Sequence, residues 1–196
     1  SYKKYCNEEF RAPVTKVDFR NKKTGWKNYS LIYYTNILKE NFYYMDKFFF
    51  GFLNDIYLNE SCYACKFKGT EKGEKREADI TLADFWGVPK KIFNRYGVSL
   101  VIINNKKGEK LFEQIKKDIF FTEVSLKSGI AANPSFYKSC IRPKERDLFF
   151  KDINNFTFNE LSNKYFRVPN LLERKIKRIF SLPQKCIKFI LKKFGE

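Results

Sequence analysis

The 196-residue chain contains no histidine. That removes the side chain most used for general acid–base work near neutral pH, and with it Ser–His and Cys–His nucleophile pairs and every mixed Cys/His zinc site. Chemistry must come from cysteines, carboxylates, lysines, tyrosines or a bound cofactor. No apolar run is long enough to cross a bilayer, and no stretch reads as a secretory signal. Zinc-finger spacings, an RNA-binding aromatic signature and a basic region with heptads are also missing, so no specific nucleic-acid partner is expected. Internal repeats and low-complexity segments are absent. The only methionine is Met45 and the first residue is Ser1, which reads as the C-terminal part of a longer protein. Cysteine is scarce and odd in number, at positions 6, 62, 65, 140 and 186, a poor disulfide framework. A reducing cytoplasm is the expected setting.

What is present is charge and aromatic bulk. Lysine and arginine exceed the acidic residues by 17, and 18% of the chain is aromatic. A field of that sign attracts phosphates and anionic surfaces. The abundance of Phe, Tyr, Asn, Ile and Lys is also that of an AT-rich genome, so the Lys and Phe counts carry little weight. At 43% hydrophobic, the chain can bury one real core.

The patterning predicts a mixed α/β (α+β) fold: a central mixed sheet, flanking helices and a helical C-terminal third. Residues 14–19 alternate like a half-buried strand, and 29–35 with 37–45 read as a hairpin or meander. Asp46 is placed to cap a short helix over 46–58. Residues 78–85 form a further strand. Residues 97–104 (GVSLVIIN) read as a central strand covered on both faces. An amphipathic helix follows, then a strand at 119–124, an order consistent with a βαβ unit. Beyond Ser125 the chain turns helical, is broken at 132–134, and forms short helices over 144–153 and 158–166. The tail, residues 171–196, carries eight basic and two acidic residues in two amphipathic halves split by Pro183. Its simplest reading is a packed terminal helix with a solvated basic face. The other is docking on an anionic membrane or an acidic partner. Residues 1–166 and 167–196 are thus read as a cofactor domain and a basic helical tail.

Cys62-Tyr-Ala-Cys65 is the least ordinary feature. A dithiol redox motif needs the first Cys at a helix N-terminus, and no clear helix is predicted to start there. An all-Cys zinc site would need two of Cys6, Cys140 and Cys186 as well. An iron–sulfur cluster uses local thiolate pairs at this spacing. Two structural cysteines in a tight loop are the remaining reading. The residues themselves leave all four open.

The surroundings add an ordered set of motifs: FRNKKTGWKNYS at 19–30, SCYACKFK at 61–68, READITLADFWGV at 76–88, GVSLVIINNKKGEKLF at 97–112, NP at 133–134 and RPKERDLFFKDI at 142–153. Together they resemble the C-terminal domain of the coenzyme F420 hydrogenase/dehydrogenase beta-subunit family, in the bacterial branch found among polysaccharide-biosynthesis genes, over roughly residues 14–166. The resemblance implies a flavin-dependent iron–sulfur oxidoreductase with FAD and a 4Fe-4S cluster. Cys62 and Cys65 match the family's paired cysteines and would be cluster ligands, the others lying upstream of Ser1. Asp79, Thr81, Asp84 and Gly87 fall in its ADIT–GDFWG stretch, and Gly97 and Ser99 in its KGxS strand, all six implied around the cofactors. Ala83 stands where members often have Gly, and no ferredoxin-type CxxCxxC run or GTPCQ motif is present. These 196 residues alone are therefore not expected to assemble a complete cluster. Bacteria of this branch need not contain the deazaflavin coenzyme F420, so its use is not implied. An electron-donor protein such as an acidic ferredoxin is the implied partner. Arg76 is read as a phosphate contact or a solvated loop charge. A non-catalytic module, peripheral to an anionic membrane through its tail, is the alternative function.

Overall fold

The carboxylate of Asp46 sits at the meeting point of four elements. In the computed structural model, which describes residues 1–10, 12–68 and 76–180, Asp46 is 1% exposed. Its Oδ1 accepts from the backbone N–H of Phe49 at 2.8 Å, the N-cap bond expected from the sequence. Its Oδ2 accepts from the hydroxyls of Tyr5 (2.9 Å) and Tyr33 (2.8 Å) and from the Asn41 amide (3.0 Å). Tyr5 belongs to α1 (Tyr2–Glu9), Tyr33 to β2 (Ser30–Tyr34), Asn41 to β3 (Leu38–Phe42), and the cap opens α2 (Lys47–Leu53).

The strands β1 (Lys16–Asn21), β2 and β3 form the expected meander, antiparallel in the order β1-β2-β3. Val17 pairs with Tyr33, and Ile32 with Glu40. β2 is the middle strand and its SLIYY run is buried on both faces as far as Tyr33. Helices α6 (Arg146–Asp152) and α7 (Phe158–Tyr165) complete this core. A capping box of Thr157 and Glu160 opens α7. Tyr5, Phe10, Leu31, Tyr33, Ile56, Phe149, Phe158 and Leu161 form its centre.

A second, smaller core gathers Trp26, Phe85, Val88 and Leu100 under β4 (Ile80–Asp84) and β5 (Ser99–Ile103). These two strands pair antiparallel, Ile80 with Ile103 and Asp84 with Ser99. Trp26 joins the two sheets. It is 1% exposed, its ring stacks on Trp86 at 4.6 Å, and its backbone N–H donates to the Arg95 carbonyl at 2.7 Å. Gly97 lies against it at φ +102°, where a Cβ would meet the indole at 3.1 Å. A glycine is needed there for both backbone and space.

The mixed α+β class is as expected, with corrections inside it. The strands fall into two separate antiparallel sheets instead of one central mixed sheet. Residues 119–124 form no strand, so the βαβ unit across 97–124 is absent; β5 pairs only with β4 and exposes Val101 and Ile103. α4 (Lys106–Ile115), capped by Asn105, still follows β5 as expected. The helix expected over 46–58 stops at Leu53, because the chain turns at Asp55 with φ +61°. α5 (Leu126–Ile130) and the break at Asn133–Pro134 match the reading. α1 was not anticipated. α8 (Leu171–Phe180) is the first half of the basic tail; the second half and Cys186 lie outside the described residues.

Asp46→Ala should strip the acceptor from two buried hydroxyls and an amide and remove the cap, costing about 3–5 kcal/mol. Tyr33→Phe, which removes one donor and leaves no orphan, should cost about 1 kcal/mol. Urea denaturation of both variants checks the ratio.

Candidate functional site

The two site cysteines stand on a short helix, α3 (Glu60–Tyr63), and the turn after it. The sequence reading placed no helix here. Asn59 starts it by accepting from the backbone N–H of Ser61 at 3.0 Å, and the Cys62 N–H donates to the Asn59 carbonyl at 2.9 Å. A four-residue helix has little stability of its own. It is held from outside by two arginines that the sequence reading did not single out.

Arg146, 7% exposed, reaches across from α6. Its Nε donates to Glu60 at 2.9 Å, and its Nη1 donates to the Ile56 carbonyl at 3.0 Å and to the Tyr63 hydroxyl at 3.2 Å. The guanidinium also lies over the rings of Phe150 (4.7 Å) and Tyr63 (5.2 Å). The Tyr63 hydroxyl donates in turn to the Asp55 carbonyl at 2.5 Å. Arg142 binds Glu60 through Nε and Nη2 at 3.3 and 3.2 Å and grips Asp147 through two bonds of 2.9 and 2.6 Å. Hydrogen bonds from Arg142 and then Arg146 hold the Glu60 carboxyl below its usual range. Arg76 is a third brace and not a free loop charge: Nη2 donates to the Phe67 carbonyl at 2.8 Å, and the guanidinium lies 4.5 Å from the Phe136 ring centroid.

Cys62 and Cys65 are half-buried free thiols at the edge of this assembly. A third free thiol, Cys140, stands on the chain after α5. Lys68 Nζ donates to Ser139 Oγ at 2.9 Å and Arg142 reaches Glu60, so residues 139–142 run beside the α3 turn. Cys140 lies between those two ties. Burial, then the Asp55 carboxylate and the Cys62 sulfur, push the Cys140 thiol up. The Asp55 carboxyl is raised by burial and eased by its hydrogen bond with Cys140. Among the described residues, no three His, Cys, Asp or Glu side chains are grouped so as to hold a metal ion. The Cys62–Cys65 turn therefore offers two ligands on one open edge. Three residues apart, they have the spacing of the local thiolate pairs of iron–sulfur sites.

The six residues implied around the cofactors divide between the two ends of the β4–β5 sheet. At one end, Asp79 accepts from Asn105 Nδ2 at 2.9 Å and pairs with Lys107 at 2.9 Å, which holds its carboxyl below the usual range. Thr81 accepts from Asn104 Nδ2 at 2.9 Å. Both brace the start of α4. Gly108 permits this contact, since a Cβ there would fall 2.2 Å from the Asp79 carbonyl oxygen. At the other end, Asp84 lies 2.7 Å from Arg20 and opposite Ser99, with Gly87 (φ +78°) and Gly97 in the adjoining turns. Gly97 and Ser99 line an open groove of about 1100 Å³; Asp79, Thr81, Asp84 and Gly87 do not. The groove runs along β5 between α4 and residues 119–126, with Phe93, Phe112 and Phe121 on its walls and Lys91, Lys116, Glu109, Glu113 and Glu123 as its charges, Lys116 paired with Glu113.

The family model that describes the C terminus of the coenzyme F420 hydrogenase/dehydrogenase beta subunit matches residues 1–128. The chain belongs to this family. The match takes in α1, which precedes the motif set, and stops before NP and RPKERDLFFKDI. Cys140, Arg142 and Arg146 thus lie beyond it. No curated protein and no solved structure matches the chain. Membership sets the general kind, a domain of a hydrogenase- or dehydrogenase-type beta subunit.

Arg146→Ala should orphan the Ile56 carbonyl, leave the Tyr63 hydroxyl with only its bond to the Asp55 carbonyl, and release α3, at a cost of about 2–4 kcal/mol. Arg142→Ala, at the rim, should cost less. Urea midpoints, read with the rate at which a thiol reagent modifies Cys62 and Cys65, check both effects; the rate should rise most in Arg146→Ala.

Proposed function

We propose that this domain serves a flavin-dependent iron–sulfur oxidoreductase, with Cys62 and Cys65 supplying two thiolates to a 4Fe-4S cluster whose other ligands come from a different segment. The observation that carries this reading is the pair of half-buried, unlinked thiols on a capped helix clamped by Arg146, within the span of the family match. Two thiolates three residues apart reach neighbouring corners of one cluster. The arginine clamp sets their direction, as supporting contacts do around a metal site.

FAD is assigned to the groove beside β5. Its volume of about 1100 Å³ is of the order a dinucleotide needs, its aromatic walls suit a ring, and Lys91 suits a phosphate, while Lys116 is paired with Glu113. Gly97 and Ser99 would meet the cofactor there. Asp79, Thr81, Asp84 and Gly87 would act one step back, by holding the sheet and the start of α4. When bound, the cluster supplies single electrons and the flavin converts between one- and two-electron chemistry. The chain's own residues position both groups and shape the field around them. An excess of 17 positive charges favours an acidic electron carrier of the ferredoxin type as partner. Coenzyme F420 is not required by this reading. The motif set favours the branch found among polysaccharide-biosynthesis genes and a cytoplasmic setting. Among the described residues, no helix is long and apolar enough to cross a membrane.

Expressed anaerobically at full length, the protein should be brown and carry flavin. Cys62→Ser with Cys65→Ser should lose most of the iron and keep the flavin, read by iron assay and absorbance. Unchanged iron content would remove the ligand assignment.

One observation favours a second reading. On α8, Leu171, Leu172 and Ile176 are exposed beside basic residues, the pattern of a helix that lies on an anionic surface. Flotation with anionic liposomes should then fall on removal of residues 171–196 and with rising salt. Equal recovery in the soluble fraction with and without the tail would dismiss it.

A further inference from the structure

Two distant segments meet beside the thiol turn and form one face with it. Lys68 donates to Ser139 at 2.9 Å. Arg76 spans the same seam, with Nη2 on the Phe67 carbonyl at 2.8 Å and Nη1 on the Phe136 carbonyl at 3.3 Å. Each segment turns one large apolar side chain into solvent: Phe67 is 70% exposed and Ile141 is 82% exposed. A single exposed apolar residue needs no explanation, but these two stand among charges of mostly one sign.

The local ion pairs decide which charges are free. Glu60 and Asp147 are both held by Arg142, and Glu60 also by Arg146, so these four groups neutralise one another. Lys66, Lys138 and Lys144 are exposed and pair with no carboxylate among the described residues. Within residues 60–68 and 138–147, Glu145 is the one carboxylate with no cation among the described residues. The face therefore presents an apolar centre and a basic rim, independently of the charge carried by the rest of the chain.

We propose that this face, residues 66–68 and 138–144, is the docking site of an acidic electron-carrier protein. Phe67 and Ile141 are its centre, and Lys66, Lys138 and Lys144 its rim. That the partner carries electrons rests on the iron assignment to the adjoining turn; that it is an acidic protein rests on the face alone. An apolar centre within a polar rim is the anatomy of a protein interface, and a bare phosphate would use the lysines without Phe67 and Ile141. Rim charges of one sign steer encounter with a surface of the other, and the apolar pair slows departure. The face is small, which suits a carrier that must leave after each transfer. Its second segment lies beyond the matched span, so the docking site belongs in part to the chain's own continuation.

The test titrates the full-length protein with a purified acidic ferredoxin as probe, by calorimetry at low and at physiological salt. The probe should bind, less tightly as salt rises. Lys66→Glu with Lys138→Glu should weaken binding about tenfold or more, and Phe67→Ala with Ile141→Ala should weaken it with the salt dependence unchanged. Lys110→Glu with Lys117→Glu lowers the net charge equally at exposed positions away from the face, and should change affinity less than about twofold. All six substituted positions are exposed, so the variants should keep the wild-type circular dichroism. No binding, or equal weakening by both charge reversals, would overturn the docking face. So would anionic phosphatidylglycerol vesicles that bind through Lys66 and Lys138 while the ferredoxin does not. Cys62→Ser with Cys65→Ser should keep the affinity and lose electron transfer from the reduced probe. If that variant keeps its iron, the ligand assignment fails and the acidic-protein face stands; if iron is lost but the reversals at the face have no effect, the face fails and the assignment stands.

Discussion

The position of the thiol turn depends on a carboxylate that never touches it. Asp46 ties α1, β2 and β3 to the first turn of α2 through one buried side chain. A buried carboxylate is costly to leave without donors, and this one has four. Two of them come from tyrosines, whose own ionisation is pushed up by burial and by the Asp46 charge. With Asp46 in place, α2 starts at a fixed point and ends where Asp55 turns into the left-handed region. The next residue, Ile56, is 3% exposed in the main core, and its carbonyl accepts from Arg146. The α3 turn therefore hangs from the core by a short run anchored at Ile56.

That arrangement explains how a surface turn is held without a long helix beneath it. Four helical residues cannot stand alone. Arg146 lies over the Phe150 and Tyr63 rings and makes its polar contacts on Glu60, Ile56 and Tyr63, so one side chain replaces the missing tertiary packing. Arg142 adds a more exposed link to the same carboxylate. Arg142 and Arg146 are thus committed to holding the loop, and the large net charge of the chain says little about this corner.

The sequence showed local chemistry well and long-range partnership poorly. Asp46 as a cap, the meander of 14–45 and the break at Asn133–Pro134 follow from nearest-neighbour rules, and all are present. The error at 119–124 has a physical cause. IFFTEV has strand-forming residues, but a strand needs a hydrogen-bonded partner; β5 pairs only with β4, and residues 119–124 stand across the groove from it instead of joining its free edge. The apolar run of β5 likewise looked central because composition cannot tell a doubly covered strand from one beside an open groove. Cys62 and Cys65 stand out by spacing. The segment that bears Cys140, 75 residues beyond Cys65, comes beside the α3 turn only through the fold. The arginines of RPKERD were visible as a motif, but Glu60, their partner, lies about 80 residues earlier, and no local rule joins them.

Under the proposed function, electrons must pass between a cluster at the thiol turn and a flavin in the groove, so the two supports need a fixed relation. The thiol turn rests on the larger core, and the groove on the smaller one. Trp26 is the joint. It follows β1, reaches the second core, and is held by the Arg95 carbonyl, by stacking on Trp86 and by the close approach of Gly97. Arg95 returns a bond to the Lys23 carbonyl, and Lys22 donates to the Tyr96 carbonyl, so the connection is doubled at its edge. Gly97 sits both under Trp26 and in the groove wall. A side chain there would disturb the joint and the groove together, because packing between the sheets and access to the pocket use the same backbone atoms.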